Sequence, residues 1–136
     1  GTKLAFVSDM SGTTDIYLVD LLQNKGNKSL PKLTQPILGT KNNSSPCYSP
    51  CGAKLAYLSK ASGVRQLFIY DFKANTSSQI TFDKQNKEAP SFSPCGQYLL
   101  YNTSSTEHNI FIIGLESKVP IQLTNIGESQ YALFLD

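Results

Sequence analysis

An all-β fold is predicted by three observations. Gly1, Gly52 and Gly96 each open a run of the form Gly-x-x-Leu-[Ala/Leu]-[Phe/Tyr], at offsets of 51 and 44 residues. A second apolar run follows each, beginning at Asp15, Gln66 and Asn109, and a short segment ending in Leu33-Thr34, Ile80-Thr81 or Leu123-Thr124 closes each copy. Short apolar runs repeating every 40 to 50 or so residues are the pattern of propeller blades, since no single copy can bury its own apolar faces. The predicted architecture is a β-propeller fragment of about three four-stranded antiparallel blades. Their boundaries fall at 1–44, 45–88 and 89–128, with a closing inner strand over 129–136. The extra length of the first copy lies in the polar stretch 23–29.

The elements of one copy follow in order. Residues 54–59 and 67–70 are short, apolar and turn-bounded, which predicts two strands. Apolar and polar residues do not alternate strictly in them, so both faces should be covered, as when sheets stack around an axis. Residues 60–65 between them predict a hairpin loop, with Gly63, and Gly12 in the first copy, supplying positive φ. The short polar strand ending in Leu-Thr suits an outermost edge, where unpaired backbone is kept brief. Ser45-Pro-Cys-Tyr-Ser-Pro50 and Ala89-Pro-Ser-Phe-Ser-Pro94 alternate small and aromatic residues between prolines, which fits an innermost strand at a crowded axis. Pro50-Cys51-Gly52 and Pro94-Cys95-Gly96 then turn the chain outward.

Composition narrows the class of function. The residues are 40% hydrophobic and 16% charged, which is ordinary globular material. Twelve Lys and Arg against ten Asp and Glu, without a basic block, leave no footprint for nucleic acid. No apolar run reaches the ~18 residues of a membrane span. The chain begins at Gly1 inside a motif, so no leader states its compartment.

Few residues invite chemistry. His108, the one histidine, aligns with Arg65 and Thr14 and is expected exposed at a hairpin tip, without the convergent partners of a triad or metal site. Cys47, Cys51 and Cys95 lack the paired spacing of a zinc site. Equivalent turns should hold Cys51 and Cys95 beyond disulfide reach, so all three are expected to be turn and packing thiols. Asp9, Ser11, Thr13 and Asp15 alternate like calcium ligands but lack the glycine and the bidentate acid of such loops, and an Asx-type turn is expected instead. Asn-x-Ser/Thr triplets at Asn27, Asn42, Asn43, Asn75 and Asn102 are frequent enough here to arise from composition. No nucleophile elbow or phosphate loop is present, and no catalytic, cofactor or metal residue is assigned. Glu88 and Glu128 precede the two later inner strands and should face the channel mouth beside Ser45 and Ser129. Contact with a partner at that mouth is the functional expectation for these four, against solvated loop charge as the plain one.

The motif Pro-x-[Tyr/Phe]-Ser-Pro-Cys-Gly-x-x-Leu-x-Tyr, at 46–57 and 90–101, resembles the PD40 repeat of TolB-type β-propellers. The chain departs from that repeat in carrying Cys51 and Cys95 where Asp is usual, and Tyr48 and Phe92 where Trp is usual; the third copy also lacks the Ser-Gly hairpin. The resemblance implies a non-catalytic interaction scaffold of the periplasm, working in the Tol-Pal system of envelope integrity and cell division. It further implies contact with the peptidoglycan-associated lipoprotein and other Tol components. The same repeats occur in peptidases, so the alternative is the gating propeller of a prolyl-oligopeptidase-like enzyme. Propellers close with about four to eight blades. About three blades therefore imply part of a longer, six-bladed ring or a half-propeller that forms a homodimer.

Overall fold

The computed structural model describes residues 1–23, 26, 32–35, 37, 40, 42–104, 107–125, 129 and 132–135. Within them the chain forms β1 (Lys3–Ser8), β2 (Asp15–Asp20), β3 (Leu33–Thr34), β4 (Ser44–Tyr48), β5 (Lys54–Ala61), β6 (Val64–Asp71), β7 (Thr76–Gln79), β8 (Asn86–Phe92), β9 (Tyr98–Ser104), β10 (Ile110–Gly114) and β11 (Pro120–Gln122). No helix occurs among the described residues. The strands pair antiparallel in three sheets, β1-β2-β3, β4-β5-β6-β7 and β8-β9-β10-β11, each a meander in chain order, with inner strands β4 and β8 leading the second and third.

The middle sheet explains the unbroken apolar runs. Ala56, Leu58, Leu67 and Ile69 on one of its faces pack with Leu99, Tyr101 and Ile113 of the third sheet. Leu55, Tyr57, Phe68 and Tyr70 on its other face pack with Ile16, Leu18 and Ile37. Successive residues of β5 and β6 thus enter different cores, so the runs 55–58 and 67–70 are apolar at every position. The inner strands add their aromatics to these layers, Phe92 to the first core and Tyr48 to the second.

The hairpin of the middle sheet is tighter than the 60–65 loop expected. Its ladder continues to Ala61 opposite Val64, so only Ser62 and Gly63 turn, at φ 52° and 82°. Two left-handed residues in succession make the turn whose twist matches that of the flanking strands. Gly12 is also left-handed, at φ 89°, and its N–H donates to Asp9 O at 2.8 Å. A Cβ on Gly63 would meet nothing within 4 Å, so only backbone strain opposes a side chain there. Gly63→Val is accordingly expected to cost about 1–2 kcal/mol. An unchanged urea midpoint would show that the turn does not require glycine.

Residues 132–135 lie outside any strand, and Leu133 and Leu135 are exposed. Of the closing inner strand expected over 129–136, residues 130, 131 and 136 lie outside the described residues. Inner strands β4 and β8 are held by their ladders to β5 and β9.

Candidate functional site

The inner strands β4 and β8 enter their sheets through the same irregularity. Register shifts between Ser44 and Cys47 and again between Glu88 and Ser91, and Ser45 and Ala89 stand at φ 52° and 48°. Each precedes a proline, and a left-handed non-glycine residue costs of the order of 1 kcal/mol or more. The same strained bulge at equivalent places in two blades is a device that turns the strand entrance, and bulges commonly re-aim side chains in this way.

Glu88 stands on the second of these entrances, one residue before the left-handed Ala89. Its Oε1 accepts from Arg65 Nη2 at 2.8 Å, and its Oε2 accepts from Asn102 Nδ2 at 3.3 Å. Arg65 Nη2 also lies 3.4 Å from Ser104 Oγ, and Arg65 N–H donates to Asn86 Oδ1 at 2.8 Å. The hairpin of one blade is thus pinned to the inner strand of the next. The ion-paired side chains keep 38% and 26% of their surface, so the pair is half open to solvent and contributes little to stability. Asn102 is fully buried, and its Oδ1 has no hydrogen-bond partner.

The other expected mouth residues are placed separately. Ser45 is exposed on its bulge, Ser129 is half-buried with its N–H donating to His108 O at 2.9 Å, and Glu128 lies outside the described residues. Arg65, Asn86, Asn102 and Ser104 complete the cluster around Glu88 without having been singled out from sequence. Asn102 did carry a signal: it occupies the repeat position of Leu58, so a buried apolar site has become polar.

Two expectations need correction. His108 is half-buried rather than exposed, and its Nδ1 is enclosed without a hydrogen-bond partner, with Ser129 tied against it through its backbone N–H. Asp15 does not close a turn. It is a buried acceptor taking Asn43 Nδ2 at 3.0 Å, Gln35 Nε2 at 2.9 Å, Thr13 Oγ1 at 3.2 Å and Ser11 Oγ at 3.3 Å.

The equivalent residues Gln66 and Asn109 are buried as well, and each accepts from the threonine that ends its blade, Thr81 Oγ1 at 2.6 Å and Thr124 Oγ1 at 3.2 Å. These polar groups fasten the outer strand to its neighbour. Lys87 is fully enclosed, donating to Asp83 Oδ1 at 2.5 Å and to Gln85 O. Burial holds its ammonium below the usual lysine range against the pull of Asp83. Burial pushes the Asp83 carboxyl up, but hydrogen bonds from Lys87 and the Gln85 N–H outweigh it and leave the group below its ordinary value.

The three cysteines are free thiols. Cys51 and Cys95 are exposed in their turns, near Ser49 Oγ at 3.6 Å and Ser93 Oγ at 3.2 Å. The Ala53 N–H and then Ser49 lower the Cys51 thiol, whereas Ser93 and then the Gln97 N–H lower that of Cys95. Each sulfur lies within reach of the serine two residues before it. Among the described residues no three His, Cys, Asp or Glu side chains converge as a metal would require.

The model of the PD40 TolB β-propeller domain matches residues 1–131. The chain belongs to the TolB β-propeller family. A TolB homolog of Protochlamydia amoebophila is 36% identical over 66 residues, 48% of this chain and 14% of the relative. The Tol-Pal system protein TolB of Hahella chejuensis is 34% identical over 83 residues, 59% of this chain and 18% of that one. The matches thus span a small part of these relatives. The crystal structure of TolB from Acinetobacter baumannii superimposes with a TM-score of 0.70 at 24% identity, over 91% of this chain and 31% of the other. The β-propeller domain of the Trilobed protease from Pyrococcus furiosus has a TM-score of 0.63 at 17% identity, over 90% of this chain and 40% of the other. Such low identities establish a common fold and nothing about activity.

Proposed function

We propose that this TolB-like propeller is a non-catalytic docking platform of the periplasm, serving the Tol-Pal system and receiving the peptidoglycan-associated lipoprotein at the end where its inner strands enter. The observation that carries the reading is the half-exposed Arg65–Glu88 pair, pre-set by a strained bulge and braced across two blades. A charge held in one geometry loses little freedom when a partner docks, which favours specific recognition. Ser45, exposed on the equivalent bulge of the preceding blade, extends the same end.

Calorimetric titration of the soluble domain of the peptidoglycan-associated lipoprotein into the chain tests this. Glu88→Lys is expected to weaken binding about tenfold or more, equivalent to about 1.4 kcal/mol. Unchanged affinity would remove the mouth from the interface. The gating-propeller alternative makes the same demand on this chain, because its catalytic groups would sit elsewhere in an enzyme. No turnover of peptide or ester substrates is expected from the chain, and hydrolysis that survives repurification would overturn the docking reading.

A further inference from the structure

Asn43 and Lys87 hold the same place in the repeat, three residues before Pro46 and Pro90, and neither has any exposed surface. Asn43 is tied directly, its Nδ2 donating to Asp15 Oδ1 at 3.0 Å. At Lys87 the tie is indirect. The residue equivalent to Asp15 is Gln66, whose Oε1 accepts from Thr81 Oγ1 at 2.6 Å; its amide N–H is left to bond elsewhere, and Lys87 brings only donors of its own. Two donors require an acceptor between them. Asp83 supplies it, for its carboxylate takes Lys87 Nζ at 2.5 Å and its main-chain carbonyl takes Gln66 Nε2. A buried ammonium is costly unless its hydrogen bonds are met, and Gln85 O accepts a second one.

This relay ends on the residues next to the half-open pair. Gln66 follows Arg65 and Lys87 precedes Glu88, and Asn86, on the other side of Lys87, accepts the Arg65 backbone N–H at 2.8 Å. Immediately beyond Glu88 stands Ala89 at φ 48°, a strained residue that persists only where its surroundings hold it. The preceding blade keeps the same order, with enclosed Asn43 two residues ahead of Ser45 at φ 52°. In both, a buried tie comes just before the strained bulge. The Arg65–Glu88 pair is half open to solvent and does little to fix its own geometry, so the place of the Glu88 carboxylate is set chiefly by the strand that carries it.

We propose that Asp83 and Lys87 are positioning residues for that pair: their ion pair fixes the entrance of β8 so that Glu88 stands where Arg65 can reach it. Their use to a partner rests on the docking reading above; the brace itself does not. Severing the relay leaves Lys87 without its counter-charge or draws it out toward water, and either change moves the backbone on which Glu88 stands. Lys54 and Asp71 form another ion pair of the middle sheet, at 2.6 Å and at the opposite end of β5 and β6 from Arg65, and provide the control.

Nitrogen-15 NMR of the chain without any partner tests the brace. The Asn102 side-chain amide and the Arg65 guanidinium report where Glu88 stands, because both donate to it. Asp83→Ala and Lys87→Met should each shift both sets of signals, whereas Lys54→Met should leave them in place. Asp83→Ala alters a half-exposed side chain and keeps the carbonyl that Gln66 uses, so it should fold even if Lys87→Met does not. Unmoved signals in Asp83→Ala, or a loss of dispersion across all three sheets, would overturn the proposal. Titration with the soluble domain of the peptidoglycan-associated lipoprotein then separates the brace from the docking reading. Asp83→Ala should weaken binding about fivefold or more, with no further loss once Glu88→Ala is present. Signals that shift while affinity holds would support the brace and remove the docking reading. A loss that persists beside Glu88→Ala would make Asp83 a contact in its own right and overturn its positioning role.

Discussion

Asp15→Ala is expected to lower stability by about 3 kcal/mol and the melting temperature by about 10 °C. The carboxylate is 5% exposed and accepts from four side chains, and the most enclosed of them, Asn43, is fully buried. Asn43 also donates to Thr40 O at 3.2 Å, accepts from Thr40 Oγ1 at 3.0 Å, and gives its backbone N–H to Thr14 O at 2.9 Å. Asp15 therefore fastens β2 to the connection that leads into β4, and its loss strands donors that water cannot easily reach. The loss falls short of the sum of four hydrogen bonds, because alanine also removes the cost of holding a charge away from water. Asp15→Asn should lose less than half as much, as asparagine fills the equivalent place in the third blade. Chemical denaturation checks both variants. A loss below about 1 kcal/mol for Asp15→Ala would show that the cluster is replaceable by solvent.

The blades were legible because their signals are local and repeated. Pro-Cys-Gly turns at 50–52 and 94–96, paired apolar runs and the Leu-Thr endings each fit within one copy. The length of the hairpin was not, since Lys60, Ala61, Val64 and Arg65 are ambiguous by composition and the left-handed Ser62 decides how far the ladder runs. Glu88 could be placed at a strand entrance, but its partner Arg65 is 23 residues earlier in another blade, and contacts between copies leave no mark on the pattern within one. Asp15 was obscured by its likeness to a cation loop. Comparison with Gln66 and Asn109 marks it better, because every copy keeps a hydrogen-bonding group at that place, and a buried acceptor is what such a position requires.

Tyr57→Ala is expected to be the costlier change, at about 4 kcal/mol and about 15 °C in melting temperature. Tyr57 is among the largest side chains with no exposed surface, and it lies on the face of the middle sheet that meets the first. Its ring stacks on Phe68 with centroids 5.5 Å apart, so truncation opens a cavity and also removes a ring contact. The hydroxyl contributes less. It donates to Ser77 Oγ at 3.0 Å, and burial raises the phenol above its ordinary pKa and keeps it neutral, while Ser77 itself is exposed and can turn to water. Tyr57→Phe should accordingly cost only about 1 kcal/mol. The ratio of the two losses, measured by urea denaturation, separates packing from hydrogen bonding at this interface. If both variants lost about the same, the hydroxyl's bond to Ser77 within the middle sheet rather than ring burial would carry the contribution of Tyr57. A Tyr57→Ala loss within about 1 kcal/mol of wild type would mean that the first sheet moves in to refill the space. That outcome would contradict a middle sheet packed tightly on both faces, on which the continuous apolar runs of β5 and β6 depend.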